Sequence, residues 1–507
     1  MRSDKHFAPL PAAALSGALL ILSFPPFGFH FLAWVALVPL MLSADGLKPA
    51  GIMACGLAAG LLFFGGSIFW VYNALHSFGG INPVVSVLLL MILILYLSLY
   101  FGLFGLVLSR LGTGPGLVVF APPAFVGLEF VRGRLLTGFP WELLAHSQYK
   151  LPAMIQIASV TGSAGVTFLI VFVNAVVAHH LASRMRGAGV PVLLLAAVAC
   201  VAANVVWGLA QIRGMEGEGG TKFKAALVQG NIEQDKKWDQ RYREMIAQRY
   251  FDMTSEASAH RPDLIVWPEA AAPFAYVQGD TNYSRALTNA VRNAGSPLLF
   301  GAVTMEGRGE RFYNSAYLLS TAGSEARYDK SHLVPFGEYV PLRGLIPFTK
   351  GLTAAIAGDT TPGRDAAPMR INGLSAGVQI CYEIIFPEGA RDFAAKGARI
   401  IVNITNDAWY GRTAASAQHM TSLPFRAVEN RTPVLRAANT GISCFVDATG
   451  RIRSQTGLFT TTVLTDEVVV PPQRPTFYGR FGDLFTYCLL VTALVMYLVN
   501  PLAPPKD

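Results

Sequence analysis

Three residues of reactive type stand out: Cys381 in GVQICYEIIFP and Glu269 in DLIVWPEAA, each where a short apolar run ends, and Lys330 in YDKSHLVPFGEY. A thiol, a carboxylate and an amine are the parts that nucleophilic acyl transfer requires. Free cysteine has a pKa of about 8.5, so near neutrality it needs a base to take its proton or a cation to favour the thiolate. Glu269 follows a wholly apolar LIVWP stretch, which implies a part-buried carboxyl suited to general-base work. Each residue also has a plain alternative: a solvated strand cap for Glu269, a surface ion pair for Lys330, a core thiol for Cys381. The joint pattern is far more specific than any member.

Apolar, β-like runs carry Glu269 and Cys381. They fall at 222–231, 263–270, 297–304, 312–320, 374–383, 398–407, 432–441 and 443–450, with helical stretches expected at 238–260, 282–293, 387–396 and 418–430. Near-continuous apolar strands separated by helices predict an α/β layered domain with a buried sheet. Such folds place reactive groups at strand ends.

The rest of the chain is of another kind. Of its 507 residues 52% are hydrophobic and only 14% charged, too apolar for an ordinary soluble protein of this size. Apolar runs near the length of a bilayer crossing, roughly 20 residues, lie at about 8–25, 28–44, 50–73, 82–109, 114–132, 157–182, 190–211 and 482–501. The expected architecture is therefore an α-helical membrane bundle of about eight spans with an inserted α/β domain. Residues 1–212 form seven spans, 213–475 the extramembrane domain, and 476–507 the last span and tail. Arg2 and Lys5 precede the first run as in a signal peptide, but hydrophobicity resumes at once and an uncleaved helix is expected.

Arg2, Lys5, Lys48, Arg110, Arg184 and Arg186 fall on one face of alternating spans. By the positive-inside rule that face is cytoplasmic, and the 213–475 domain is periplasmic at a bacterial inner membrane, although Arg132, Arg134 and Lys150 go against the trend. Loop cations at a membrane account for the net charge of +8 without nucleic acid. Cys55, Cys200 and Cys488 fall inside spans as packing residues. A Cys381–Cys444 disulfide is disfavoured, because Cys444 lies in the strand-like run GISCFVDATG. No Cys or His spacing resembles a zinc site, and neither metal nor cofactor is expected. Glu129, near the end of a span, has Arg132 within helical reach; an ion pair is preferred to a substrate role.

With WPE, K-x-x-LVPFGEY and CYE in this order, the sequence resembles the nitrilase superfamily of carbon–nitrogen hydrolases. Within it, the spans, GFPW at 138–141, NDAWYG at 406–411 and RAANTGIS at 436–443 resemble the apolipoprotein N-acyltransferase family. The resemblance implies a nitrilase-like αββα sandwich. It implies Glu269 as general base, Lys330 as electrostatic stabiliser and Cys381 as nucleophile. It also implies supporting roles for Glu338, for Tyr382 and Glu383 beside the nucleophile, and for Trp238 on a mobile loop. Ala415-Ser416-Ala417 replaces the family's Gly-Pro before Gln418-His419, which leaves that loop's shape open.

The implied reaction moves an acyl chain from a phospholipid to the α-amino group of the diacylglyceryl-cysteine of an apolipoprotein, ping-pong through a Cys thioester. The apolar stretch 342–356, with Leu345, Ile346 and Phe348, either dips into the membrane surface or packs on the domain. Two rival readings are a membrane-tethered amidase or nitrilase acting on a small amide, and a transporter with a regulatory domain. The triad does not exclude the first; the paucity of ionisable groups in the spans and the lack of a repeat disfavour the second.

Overall fold

The computed structural model describes residues 8–272, 275–276, 281–307, 311–339, 360–364 and 367–499. The chain divides into two compact units: Met1–Phe69, Val87–Arg213 and Phe481–Asp507 make one, Trp70–Ser86 and Gly214–Arg480 the other.

Among the described residues, five helices are long and apolar enough to cross a bilayer: Pro49–Ser67, Pro83–Leu111, Pro115–Arg132, Ser163–Met185 and Pro191–Glu218. Four of the five open on proline, which fits the first helical turn because its missing N–H would have no partner there. Shorter apolar helices run over Pro9–Ser23, His30–Leu42, Pro152–Thr161 and Leu484–Val499. The run expected as one span at 157–182 is interrupted at Gly162, whose φ of +63° ends one short helix and precedes Ser163–Met185. Glu129 and Arg132 pair at 3.7 Å, as their spacing predicts. The same carboxylate accepts from the Leu144 N–H at 2.7 Å and the Thr167 hydroxyl at 2.9 Å. It is thereby satisfied within the first unit.

The second unit is a double sheet. Its first sheet contains β1 (Thr221–Gln229), β2 (Leu264–Val266), β3 (Ala275–Tyr276), β4 (Leu298–Glu306), β5 (Arg311–Leu319) and β6 (Glu325–Asp329). Its second contains β7 (Met369–Ile371), β8 (Leu374–Ile380), β9 (Ile400–Thr405), β10 (Val434–Ala438), β11 (Cys444–Val446) and β12 (Ile452–Gln455). A last strand, β13 (Thr462–Val470), returns to pair with β1 in the first sheet. The orders are β13-β1-β2-β4-β5-β6, with β3 beside β4, and β12-β11-β10-β9-β8-β7. Each sheet has a parallel centre, β1-β2-β4 and β8-β9-β10.

Parallel neighbours need crossovers, usually helical. Helices Arg243–Ser258 and Asn282–Ala294 serve the first sheet; Pro387–Ala395 and Leu423–Asn430 serve the second. The sheets meet through β1 with β10 and β5 with β8, and the helices lie outside them, giving the αββα order. On the first sheet, Ile246, Tyr250, Met253, Leu287 and Val291 from the helices close over Ile265, Trp267 and Phe300. Trp267 is wholly buried, lies with its ring tilted against that of Tyr250 at 4.8 Å and donates to Thr254 Oγ1 at 2.9 Å. Truncating such a side chain costs roughly 3–5 kcal/mol, so the chain is firmly anchored just before Pro268-Glu269.

The eight expected strands are present, six of them shorter, while β4 runs on to Glu306 and β5 begins at Arg311. The run 374–383 stops as strand at Ile380, and Cys381–Ile385 is a tight 3₁₀ turn. The stretch 418–430 is two helices, Ala415–Met420 and Leu423–Asn430, the second opening on Leu423-Pro424. The helix expected over 238–260 begins only at Arg243. The stretch 342–356 lies outside the described residues.

Candidate active site

Glu269, Lys330 and Cys381 each follow a strand: β2, β6 and β8 respectively. All three are buried. The backbone at Glu269 is pressed against β4, where a side chain on Gly301 would lie 2.4 Å from the Ala270 nitrogen and 2.7 Å from the Glu269 Cα. Only glycine allows this approach. Both carboxylate oxygens of Glu269 are held: Oε1 accepts from Asn314 Nδ2 at 2.7 Å, and Oε2 from the Asn406 N–H at 2.7 Å.

Lys330 Nζ donates to Glu338 Oε1 at 2.9 Å and lies 3.8 Å from Glu269 Oε1. Glu338 is itself fixed by Asn314 Nδ2 at 3.0 Å and the Val334 N–H at 2.8 Å. Burial works against the lysine's charge, but Glu338 and Glu269 outweigh it and hold the ammonium protonated, above the usual lysine range. Lys330 is thus not in the surface ion pair of its plain alternative but is a buried cation between two carboxylates.

Cys381 has a φ of +53°, a left-handed conformation that costs a side-chain-bearing residue energy. Burial pushes its thiol up to about 12; Glu269 adds to the rise and Lys330 opposes it. The resting sulfur is therefore a neutral thiol that must lose its proton as it reacts. A chemical consequence is measurable. Alkylation by iodoacetamide should rise about tenfold per pH unit from pH 7 to 9.5 without the plateau of a free cysteine near 8.5. Levelling off below pH 9 would contradict the neutral resting thiol.

Glu383, two residues on, does structural work. Its Oε1 accepts from the Ser331 N–H at 2.7 Å, the His332 N–H at 3.0 Å and the Tyr328 hydroxyl at 2.8 Å; its Oε2 accepts from the Ile380 N–H at 2.7 Å. One carboxylate thereby joins the segment after Lys330 to the strand end before Cys381. Tyr382 is buried with its ring 5.1 Å from Phe386. Trp238 lies in a turn, half-buried. Its neighbour Lys237, absent from the sequence-derived set, reaches the site: its Nζ donates to the Glu269 carbonyl at 2.9 Å. Burial brings its pKa down to about 8, against the pull of Glu269 and Cys381.

The two motifs NDAWYG and RAANTGIS supply the floor. Arg436 donates to Asp407 Oδ2 at 2.8 Å and Asn403 Oδ1 at 2.7 Å, all of them buried. Burial raises the cost of the Asp407 charge, but Arg436 holds it well below the usual carboxylate range. A side chain on Gly441 would lie 2.2 Å from Asp407 Oδ2, which accounts for glycine in RAANTGIS. Residues from far upstream join this floor: Trp70 Nε1 donates to Gln418 Oε1 at 2.9 Å, and its ring meets that of Tyr410 edge-on at 4.7 Å.

The sequence profile of the apolipoprotein N-acyltransferase N-terminal domain matches residues 16–176, and that of carbon–nitrogen hydrolases residues 224–472. Apolipoprotein N-acyltransferase of Geobacter metallireducens is 40% identical over 494 residues, covering 96% of this chain and 94% of the relative. The chain belongs to the apolipoprotein N-acyltransferase family. It is an acyltransferase of the carbon–nitrogen hydrolase superfamily. The Photobacterium profundum family member is 32% identical over 508 residues, covering 96% of this chain and 94% of its own. Among solved structures, Saccharomyces cerevisiae Nit3, of branch 10 of the nitrilase superfamily, aligns with a TM-score of 0.40 and 19% identity, covering 56% of this chain and 97% of that one.

Proposed function

We propose that this acyltransferase moves an acyl chain from a membrane phospholipid to the α-amino group of the diacylglyceryl-cysteine of an apolipoprotein, through a thioester on Cys381. The observation that carries the reading is a buried cysteine after β8 gathered with a buried carboxylate and ammonium, Glu269 and Lys330, 3.8 Å apart. Glu269 takes the thiol proton as sulfur attacks the ester carbonyl carbon. Negative charge builds on the carbonyl oxygen, where Lys330 and the Tyr382 N–H are the stabilising donors. One such donor is typically worth about 3–4 kcal/mol. The C–O bond then breaks, Glu269 returns its proton to the alkoxide, and lysophospholipid leaves.

In the second half the free amine attacks the thioester. Glu269 takes the nitrogen's proton, the C–S bond breaks, and Cys381 regains a proton. Glu338 keeps Lys330 charged through both halves. Five helices of crossing length and the shorter apolar segments Pro9–Ser23, His30–Leu42 and Leu484–Val499 support an eight-span bundle. Lys48, Arg110, Arg184 and Arg186 on one face support an inner-membrane protein with a periplasmic catalytic domain.

Intact-mass measurement tests the scheme. Protein incubated with phospholipid should gain one acyl chain, and a diacylated lipopeptide with a free amine should remove it and appear triacylated. Release of free fatty acid with no lipopeptide product would mean hydrolysis. An active protein without an adduct would overturn the thioester.

A further inference from the structure

The floor beneath Cys381 holds one histidine that the proposed mechanism does not use. His419 is wholly buried on Ala415–Met420. Its Nε2 lies 3.2 Å from the Cys381 carbonyl oxygen and its Nδ1 3.0 Å from Arg436 Nη2. Arginine is a permanent donor, so Nδ1 accepts and the ring proton sits on Nε2. This tautomer follows from hydrogen-bond logic. A cationic ring would instead donate from Nδ1 to Asp407 Oδ1, 3.3 Å away. Burial and Arg436 disfavour that form by lowering the His419 pKa.

The Nε2–H therefore donates to the Cys381 carbonyl. Asn403 Nδ2 donates to the same oxygen at 3.3 Å. That carbonyl and the Tyr382 N–H belong to one planar trans peptide and point in opposite directions. Whatever fixes the one aims the other. The constraint is needed here because Cys381 is in the left-handed region, where an unheld peptide gains by rotating away.

We propose that His419 is a positioning residue: by donating to the Cys381 carbonyl, together with Asn403, it sets the Cys381–Tyr382 peptide so that the Tyr382 N–H faces the acyl oxygen that becomes negative. The inference rests on Cys381 being the nucleophile of the proposed reaction. It makes Arg436 and Asp407 the outer members of a relay of fixed orientation: Arg436 sets the tautomer, and Asp407 holds Arg436.

Two reactions of the same sulfur separate positioning from general damage. Acyl transfer from phospholipid builds an oxyanion; alkylation by iodoacetamide, at a saturated carbon, builds none. In His419→Leu, single-turnover acylation should slow about tenfold to hundredfold, as when an oxyanion donor is misplaced. Alkylation and its pH profile should stay within about twofold of wild type. His419→Gln, whose amide can still donate, should recover most of the acylation rate. If the leucine variant does not fold, His419→Asn, too short to reach the carbonyl, replaces it in the same comparison. Unchanged acylation in the non-donating variant, a parallel loss of both reactions, or failure of the glutamine to rescue would overturn the proposal. Absence of an acyl adduct on wild-type protein would instead overturn the nucleophile assignment beneath it.

Discussion

Cys381→Ala protein should form no acyl adduct with phospholipid and should lose at least about 10⁴-fold in turnover, as when the nucleophile of a covalent mechanism is removed. The geometry leaves no substitute sulfur: Cys444 is buried in β11 on the second sheet, and Cys55, Cys200 and Cys488 lie in the apolar helices of the other unit. Folding should survive, because alanine keeps a Cβ at the same left-handed position and removes only the sulfur. The measurement is intact mass after incubation, with thermal unfolding in detergent as the control. Retention of an acyl-sized adduct would place the nucleophile elsewhere.

Glu269→Gln should slow acylation by about 10²- to 10⁴-fold, the usual range for losing a positioned base. The substitution preserves shape but not bonding. Oε2 faces a backbone N–H, which cannot turn away, so the glutamine oxygen must stay there. Its amide nitrogen then points at Asn314 Nδ2 and toward Lys330 Nζ, both donors. Alkylation of Cys381 responds in the opposite direction. Glu269 is one of the groups that raise the thiol pKa, so its neutralisation lowers that pKa and direct alkylation at fixed pH should become faster. A variant slow in acylation and quick in alkylation identifies a lost base; slowness in both would point to a disordered site.

Glu269 and Cys381 of the proposed triad were readable because each follows an apolar strand, and strands of this type leave a local mark; Lys330 follows β6, the polar EARYD, which was not among the expected strands, and was legible only from its own motif. WPE and CYE announce their own ends. Much of what holds the triad leaves no such mark. Lys237 sits in a charged run, EQDKKWD, whose local pattern reads as solvated surface, yet its Nζ is buried against the Glu269 carbonyl. Trp70 closes an apolar run that reads as a membrane span to residue 73, whereas Pro49–Ser67 ends earlier and residues 70–86 belong to the second unit. Its bond to Gln418 spans 348 positions of sequence, a pairing that periodicity does not encode. The replacement of Gly-Pro by Ala415-Ser416-Ala417 left the loop shape open; three good helix formers or neutral residues simply extend the helix that carries Gln418 and His419. β13 was missed for another reason: its TDE interrupts the apolar pattern on a strand that lies at the sheet's edge.

The thiol pushed up to about 12 has a bearing on how long the protein lasts. Peroxide and disulfides are attacked by thiolate, and thiols that stay protonated and buried are inert toward them. As the nucleophile of the proposed mechanism, Cys381 would ionise only while a substrate carbonyl lies over it and would expose almost no thiolate between turnovers. Under that mechanism reactivity and resistance to oxidation, ordinarily opposed in a cysteine, would be separated in time.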